Sequence, residues 1–245
     1  MKVSLFITCI VDQMFPSVGV AVVDVLSRLG VEVTFNGEQT CCGQPAFNTG
    51  YRDEARSVAL PMIGVFEREL ETSDYIVAPS GSCVTMVRKF YRELFESDQE
   101  VLKRVGAVAP RVLEFSEFLV NVLGSPDIGA KHHGRVTYHD CCHLLRELHI
   151  SKEPRQLINA VGGVEFVEME ASDACCGFGG TFSVKFPEIS TVIAEEKVSN
   201  IARSGADTVA ACDSSCLMQI AGLASRKGVN VRCLHLAELL ASRED

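Results

Sequence analysis

Cys175-Cys176-Gly177-Phe178-Gly179-Gly180 and its earlier counterpart Cys41-Cys42-Gly43-Gln44-Pro45 decide how this chain is read. Adjacent cysteines followed by glycine occur twice, and single cysteines bracket each pair at matching distances. Cys142 lies 133 positions after Cys9, Cys175 and Cys176 lie 134 after Cys41 and Cys42, and Cys216 lies 133 after Cys83. Four offsets that agree to within one residue mark a tandem repeat whose unit is a four-cysteine set. Two domains are therefore expected, residues 1–125 and 135–245, joined by a polar linker over 126–134 that contains glycine and histidine.

Around the cysteines, strand and helix patterns alternate. Lys2 to Cys9 reads as a strand that ends at the first cysteine, and Phe15 to Leu29 has helical spacing and stops at Gly30. Val31 to Phe35 is a second strand that leads into Cys41-Cys42-Gly43. A helix over Arg52 to Leu70, a strand over Tyr75 to Ala78 and a helix from Cys83 to about Phe95 follow. A short strand at Arg111–Leu113 and a helix from Ser116 complete the first unit.

The second unit replays the order. It has strands at 135–139, 164–169, 208–211 and 231–233, and helices at 144–147, 154–161, 188–204, from Cys216, and at 236–241. Gly30-Val31-Glu32-Val33 answers Gly163-Val164-Glu165-Phe166, and Arg111-Val112-Leu113-Glu114-Phe115 answers Arg232-Cys233-Leu234-His235-Leu236. The expected fold class is α/β, with two pseudo-symmetric repeats, each a mainly parallel sheet flanked by helices. The cysteines then fall on strand-to-helix loops, where such folds place ligands.

Composition narrows the class of function. A chain of 245 residues with 47% hydrophobic and 22% charged residues can bury a large core. A net charge of −9 with no basic run argues against nucleic acid and anionic membrane as partners. No uncharged apolar run approaches the ~20 residues needed to span a bilayer. Met1-Lys2 and the apolar Val3–Val11 stretch read as a buried first strand rather than a targeting segment, because Asp12 ends it early. The expected location is the cytoplasm, a reducing compartment where cysteines more often bind metal or carry redox chemistry than form disulfides.

Each set gathers four thiols, Cys9, Cys41, Cys42 and Cys83 in the first and Cys142, Cys175, Cys176 and Cys216 in the second. Thiolates select soft ions, zinc or iron–sulfur clusters. A structural zinc site usually draws on C-x2-C knuckles, which are missing here. Adjacent cysteines suit a polynuclear cluster that takes them on different metal atoms, and the glycine after each pair permits a tight turn. Cys83 and Cys216 are expected at helix N-termini, where the dipole favours the thiolate. Spacing alone favours an iron–sulfur cluster over zinc or metal-free redox thiols, without excluding either.

Pro79-Ser80-Gly81-Ser82-Cys83, Tyr138-His139-Asp140-Cys141-Cys142-His143-Leu144-Leu145-Arg146 and Cys175–Ser183 carry a family resemblance. They are similar to the CCG (cysteine-rich) domains of the heterodisulfide reductase B subunit, the glycolate oxidase iron–sulfur subunit and their relatives, and within that family to its lactate-utilization members. The resemblance implies a cytoplasmic oxidoreductase subunit in a complex that oxidises L-lactate, a small 2-hydroxy acid, to pyruvate. It also implies further lactate-utilization subunits as partners, one of them a ferredoxin-like iron–sulfur protein. Heterodisulfide reductase ends each set in C-x2-C, whereas Ser80 and Asp213 stand at the corresponding first positions here. Four thiols per set suit a conventional 4Fe-4S cluster, so one or two such clusters are expected. A heterodisulfide-reductase-like subunit with another substrate and a zinc-binding, non-catalytic scaffold remain the alternatives.

Other residues near the sets read more plainly. Cys141 falls outside the register and is taken as a small buried residue, as are Cys212 and Cys233. Ser80 and Asp213 precede helices and read as N-caps. His139, Asp140, His143 and Arg146 flank Cys142. His143 and Arg146 are candidate catalytic groups for a substrate carboxylate, although a local salt bridge would use the same residue types. His235 reads as a satisfied core or loop histidine, and His132 and His133 as solvated linker residues. Gly177-Phe178-Gly179-Gly180 lacks the lysine and serine of a phosphate loop, which argues against nucleotide binding.

Overall fold

The computed structural model describes residues 1–243. Two four-stranded sheets form, each parallel throughout, with strand orders β2-β1-β3-β4 and β6-β5-β7-β8. The first half runs β1 (Lys2–Leu5), α1 (Cys9–Met14), α2 (Pro16–Arg28), β2 (Glu32–Phe35), α3 (Gln44–Asn48), α4 (Arg52–Glu69) and β3 (Tyr75–Ala78). It continues with α5 (Gly81–Thr85), which passes through a π-helical turn into α6 (Tyr91–Leu94), then α7 (Gln99–Val108), β4 (Val112–Glu114) and α8 (Phe115–Glu117), extended by a further π-helical turn. The second half has β5 (Lys131–Tyr138), α9 (Cys142–Arg146), α10 (Lys152–Asn159), β6 (Gly162–Phe166), α11 (Phe182–Lys185), α12 (Pro187–Ser204), β7 (Thr208–Ala211), α13 (Ser214–Lys227), β8 (Arg232–His235) and α14 (Leu236–Ala241).

In each sheet the chain leaves the first strand to one side and returns to its other side with the third. That reversal opens a crevice at the carboxyl ends of the strands, where open parallel sheets bind ligands. Cys9, the Cys41–Cys42 pair and Cys83 follow β1, β2 and β3, and their counterparts follow β5, β6 and β7.

The last helix of each half packs on the other half. α14 lies against α2, and α10 against α8, so Val18, Val22 and Val25 share one core with Leu236, Leu239 and Leu240. Polar contacts repeat the exchange: Ser17 Oγ donates to Glu238 at 2.8 Å and Asn121 Nδ2 to Glu153 at 3.0 Å. The shared apolar core fixes the two cysteine-bearing edges relative to each other.

Three expectations need correction. β5 begins at Lys131, inside the stretch read as linker, and His132 is buried on it rather than solvated. α7 has no counterpart in the second half: Val112 follows Ala78 by 34 positions, whereas Arg232 follows Ala211 by 21. Asp213 occupies an N-cap position, but its side chain makes no cap bond in its own helix, for a reason given below.

Glu114 caps α8 by accepting from the Ser116 amide at 2.8 Å, while its Oε1 is buried without a partner. Burial pushes this carboxyl up to about 8, against the opposing pull of its Ser116 and Glu117 hydrogen bonds. A raised carboxylate binds its proton more tightly in the folded state, so its stabilising share is complete below the unfolded value of 4.5 and is lost as pH rises toward about 8. Glu114→Gln should flatten that loss and leave the variant more stable than the parent at pH 8–9, by on the order of a few kcal/mol. Denaturant unfolding from pH 5 to 9 checks it, and identical slopes for parent and variant would refute it.

Candidate metal centre

The two cysteine sets open onto one cleft of about 260 Å³ between the halves. In the first set, Cys9 is the first residue of α1, and its Sγ lies 3.7 Å from that of Cys41. Cys42 turns the other way, its Sγ 3.4 Å from Cys83, the third residue of α5. Adjacent side chains diverge, so one pair reaches both flanking loops. Gly43, at φ +87°, makes the turn and donates its N–H to Cys41 Sγ at 3.4 Å. The second set repeats this arrangement. Cys142 opens α9 on the same cleft as Cys175, the sulfurs of Cys176 and of Cys216 in the first turn of α13 lie within 4.8 Å of each other, and Gly177 at φ +84° donates to Cys175 Sγ at 3.3 Å.

The thiols polarise alike in both sets. Cys41 is pulled down to about 3 by hydrogen bonds from Cys42, then Cys9, with the Gly43 amide adding to them. Cys175 is pulled down to about 2 by Cys142, then Cys176, with the Gly177 amide adding to them. Their neighbours Cys9, Cys42, Cys142 and Cys176 shift upward, first because each donates to that thiolate and then through burial. Each set thus presents a thiolate with protons held on its neighbours, and metal binding would displace those protons.

A single tetrahedral ion would draw four thiolates to within about 3.8 Å of one another, given metal–sulfur bonds near 2.3 Å. Among the described residues, the only three potential ligands within 4.8 Å of one another are His139, Cys176 and Cys216. The first set is instead two close pairs spread around the cleft wall. That spread fits a polynuclear group better than a lone ion. All eleven cysteines are free thiols, so no disulfide competes for the sets.

Where the halves meet, the positions of the missing cysteines touch each other. Ser80 Oγ donates to Asp213 Oδ1 at 3.0 Å, and Asp213 also accepts from the Ser82 amide at 2.9 Å and Ser82 Oγ at 3.0 Å. Ser80 caps its own helix by accepting from the Cys83 amide at 3.3 Å, whereas Asp213 caps its neighbour's. Burial raises the Asp213 carboxyl despite these bonds.

His235 is a satisfied core histidine: it accepts from the Ala237 amide at 3.1 Å and sits 3.2 Å from the Pro79 carbonyl. Cys141 is buried, as expected, but it also lines the cleft, its sulfur 3.8 Å from the His139 carbonyl. The neighbouring Cys216 favours its thiolate, yet burial wins and holds it up to about 12. Cys212 is buried against Tyr138, whose hydroxyl donates to its sulfur at 3.3 Å, and Cys233 is partly buried on β8. Asp140 makes a bidentate pair with Arg155 at 2.8 and 2.7 Å, a residue outside the sequence argument. Burial opposes ionisation of Asp140, and Arg155 overcomes it and lowers the carboxyl. His143 lines the cleft with its ring edge-on to Phe90, while Arg146 lies outside the lining and donates to the Asp173 carbonyl at 3.4 Å. His139, read from sequence only as a residue flanking Cys142, and Lys197, which the sequence argument passed over, are both buried beside the second set. The signal was available, because the repeat offset sets His139 opposite Phe6.

The cysteine-rich domain family, CCG, matches residues 3–88 and 136–221. Lactate utilization protein A 2 of Bacillus cereus (strain 03BB102) is 45% identical over 241 residues, 98% of each chain. Lactate utilization protein A of Exiguobacterium sp. is 46% identical over 98% of this chain and 96% of its own. Lactate utilization protein A of Bacillus subtilis (strain 168) is 45% identical over 99% of this chain and 100% of its own. Among the described residues, no helix is long and apolar enough to cross a membrane.

Proposed function

This chain belongs to the CCG cysteine-rich-domain family, of which it carries two copies, and on that premise we propose that it is an iron–sulfur subunit of a system oxidising L-lactate to pyruvate. One observation carries the metal part: two glycine-turned cysteine pairs, each with a backbone amide donated to its leading sulfur, face one cleft. The substrate rests on the relatives named for lactate utilization. Cys9, Cys41, Cys42 and Cys83 would hold one cluster, and Cys142, Cys175, Cys176 and Cys216 the other. When bound, such clusters supply one-electron exchange at potentials set by hydrogen bonds to sulfur and by burial.

The chain's own residues prepare the site. The Gly43 and Gly177 amides stabilise the leading thiolate of each pair. The Ser80–Asp213–Ser82 contacts and the exchanged helices hold both sets to one geometry. His143, on the cleft wall, is the group offered to the carboxylate of a small 2-hydroxy acid, while Arg146, one turn along α9, stands outside the lining. Val184, Ile189 and Val192 stand exposed just past the cleft-lining Phe178–Gly180, which suits docking of a further subunit of the system, such as a ferredoxin-like protein, in the cytoplasm.

Anaerobically purified or reconstituted protein should be brown, with a broad band near ~400 nm and acid-labile sulfide, because thiolate-bound clusters require both. Colourless protein holding stoichiometric zinc after reconstitution would refute the cluster and favour the scaffold alternative.

A further inference from the structure

The two centres differ in one donor. Phe6 N donates to Val77 O and His139 N to Ala210 O, each at 2.9 Å, so the two residues occupy the same place beyond the first strand of each half. Phe6 packs in an apolar core with Cys42 and Cys83. At that place in the second half a nitrogen of His139 and the sulfurs of Cys176 and Cys216 lie within 4.8 Å of one another. The imidazole is 0% exposed, and among the described residues neither ring nitrogen makes a well-formed hydrogen bond, the Ser172 backbone being its polar neighbour. An unsatisfied buried polar atom costs about 1–3 kcal/mol and calls for an explanation, of which a bound ion is one.

A second difference lies next to the first. The buried positions of α4 (Ala55, Ala59, Met62, Ile63, Phe66) match those of α12 (Ser190, Ala194, Lys197, Val198, Ile201), which sets Lys197 opposite Met62. Lys197 is fully buried and donates to the carbonyls of Ala171 at 2.7 Å and Ser172 at 3.0 Å, on the helix whose Ala194 and Val198 pack with Cys176.

We propose that His139 is a nitrogen ligand to a thiophilic metal ion held with Cys176 and Cys216, so that the two centres are chemically unequal: thiolates alone in the first, thiolates with an imidazole in the second. The inference rests on metal binding at the second set, but not on the metal being a cluster. A neutral imidazole and a nearby lysine both stabilise the more reduced, more negative state. The second centre therefore has the higher midpoint potential.

The test uses full-length Cys41→Ser/Cys42→Ser protein, in which only the second set is intact, loaded anaerobically in two arms. One arm receives iron and sulfide, and the other Co2+ alone. Pulsed EPR with natural-abundance and 15N-labelled histidine should show directly bound imidazole nitrogen in the metal-loaded protein, and His139→Phe should abolish it. In the Co2+ arm, His139→Phe should also weaken binding by on the order of 100-fold, since even outer-shell partners of a metal ligand are worth 10–100-fold. The phenylalanine copies the residue of the first half, and circular dichroism checks its fold. Should the double serine variant not fold, wild-type protein and His139→Phe carry the same comparison.

Bound metal without histidine coupling overturns the proposal, as does coupling that survives in His139→Phe. Histidine coupling to Co2+ in protein that assembles no cluster upholds the proposal and sinks the iron–sulfur reading. Failure of both metals to bind overturns both.

Discussion

Cys142→Ser and Cys176→Ser should each release the metal of the second centre and stop lactate-dependent electron transfer in the reassembled system. Cys141→Ser, Cys212→Ser and Cys233→Ser should retain iron in full, losing about 0.5–3 kcal/mol of stability as small buried substitutions. The comparison bears hardest on Cys141 and Cys142, because both line the cleft with Cys175, Cys176 and Cys216. Proximity does not separate them, but the repeat does. The position before the first cysteine of the other half is Thr8, which is buried and lines the same cleft. A hydroxyl serves there, so the position requires a small polar group and not a thiolate. Serine at 141 recreates that state, whereas serine at 142 removes a residue whose equivalent is Cys9. Iron and sulfide analysis of the two single variants decides it. Loss of the cluster in Cys141→Ser with retention in Cys142→Ser would overturn the register and the ligand set together.

Both the α/β class and the cleft were legible because the cysteines cannot drift. A ligand position fixes the length of the loop that carries it, so the 133–134 spacing survives while apolar side chains interchange. α14 falls where its periodicity set it, Leu236–Ala241. What remained hidden is non-local. Nothing in the amphipathic pattern of α2 says that its apolar face meets α14 of the other half, because periodicity reports which face is buried and not against what. Asp213 read as an ordinary cap because its local sequence is that of one, and its transfer to Ser82 needs the halves assembled. His132 looked solvated because a glycine-flanked histidine pair resembles a linker, yet the strand starts early and buries it. The Asp140–Arg155 pair ties the loop before α9 to α10, and only the packing of α10 brings the guanidinium onto that carboxylate.

Gly177→Ala should damage the second centre far more than Gly43→Ala damages the first, although the two glycines are equivalents. Both have positive φ, +84° and +87°, so any side chain meets left-handed strain of about 1–2 kcal/mol. The surroundings then separate them. A Cβ at 177 would lie 2.4 Å from the Ser190 carbonyl oxygen, a backbone atom of α12, while one at 43 would lie 3.2 Å from the Ala55 carbonyl. The first contact cannot be relieved by a rotamer change. It forces the turn away from α12 and breaks the bond from Ser190 Oγ to Gly177 O at 2.8 Å, on which Gln219 also rests. A total cost on the order of 4 kcal/mol is expected for Gly177→Ala, against about 1–2 kcal/mol for Gly43→Ala. The displaced turn also withdraws the amide that donates to Cys175 Sγ and moves the cysteine pair itself, so metal at the second set should be lost even where the fold persists. Denaturant unfolding of the metal-free variants gives the first quantity, and iron analysis after anaerobic reconstitution the second. Equal costs for the two substitutions, or full metal retention in Gly177→Ala, would show that the close packing of this turn on α12 does not hold the cysteine pair in place.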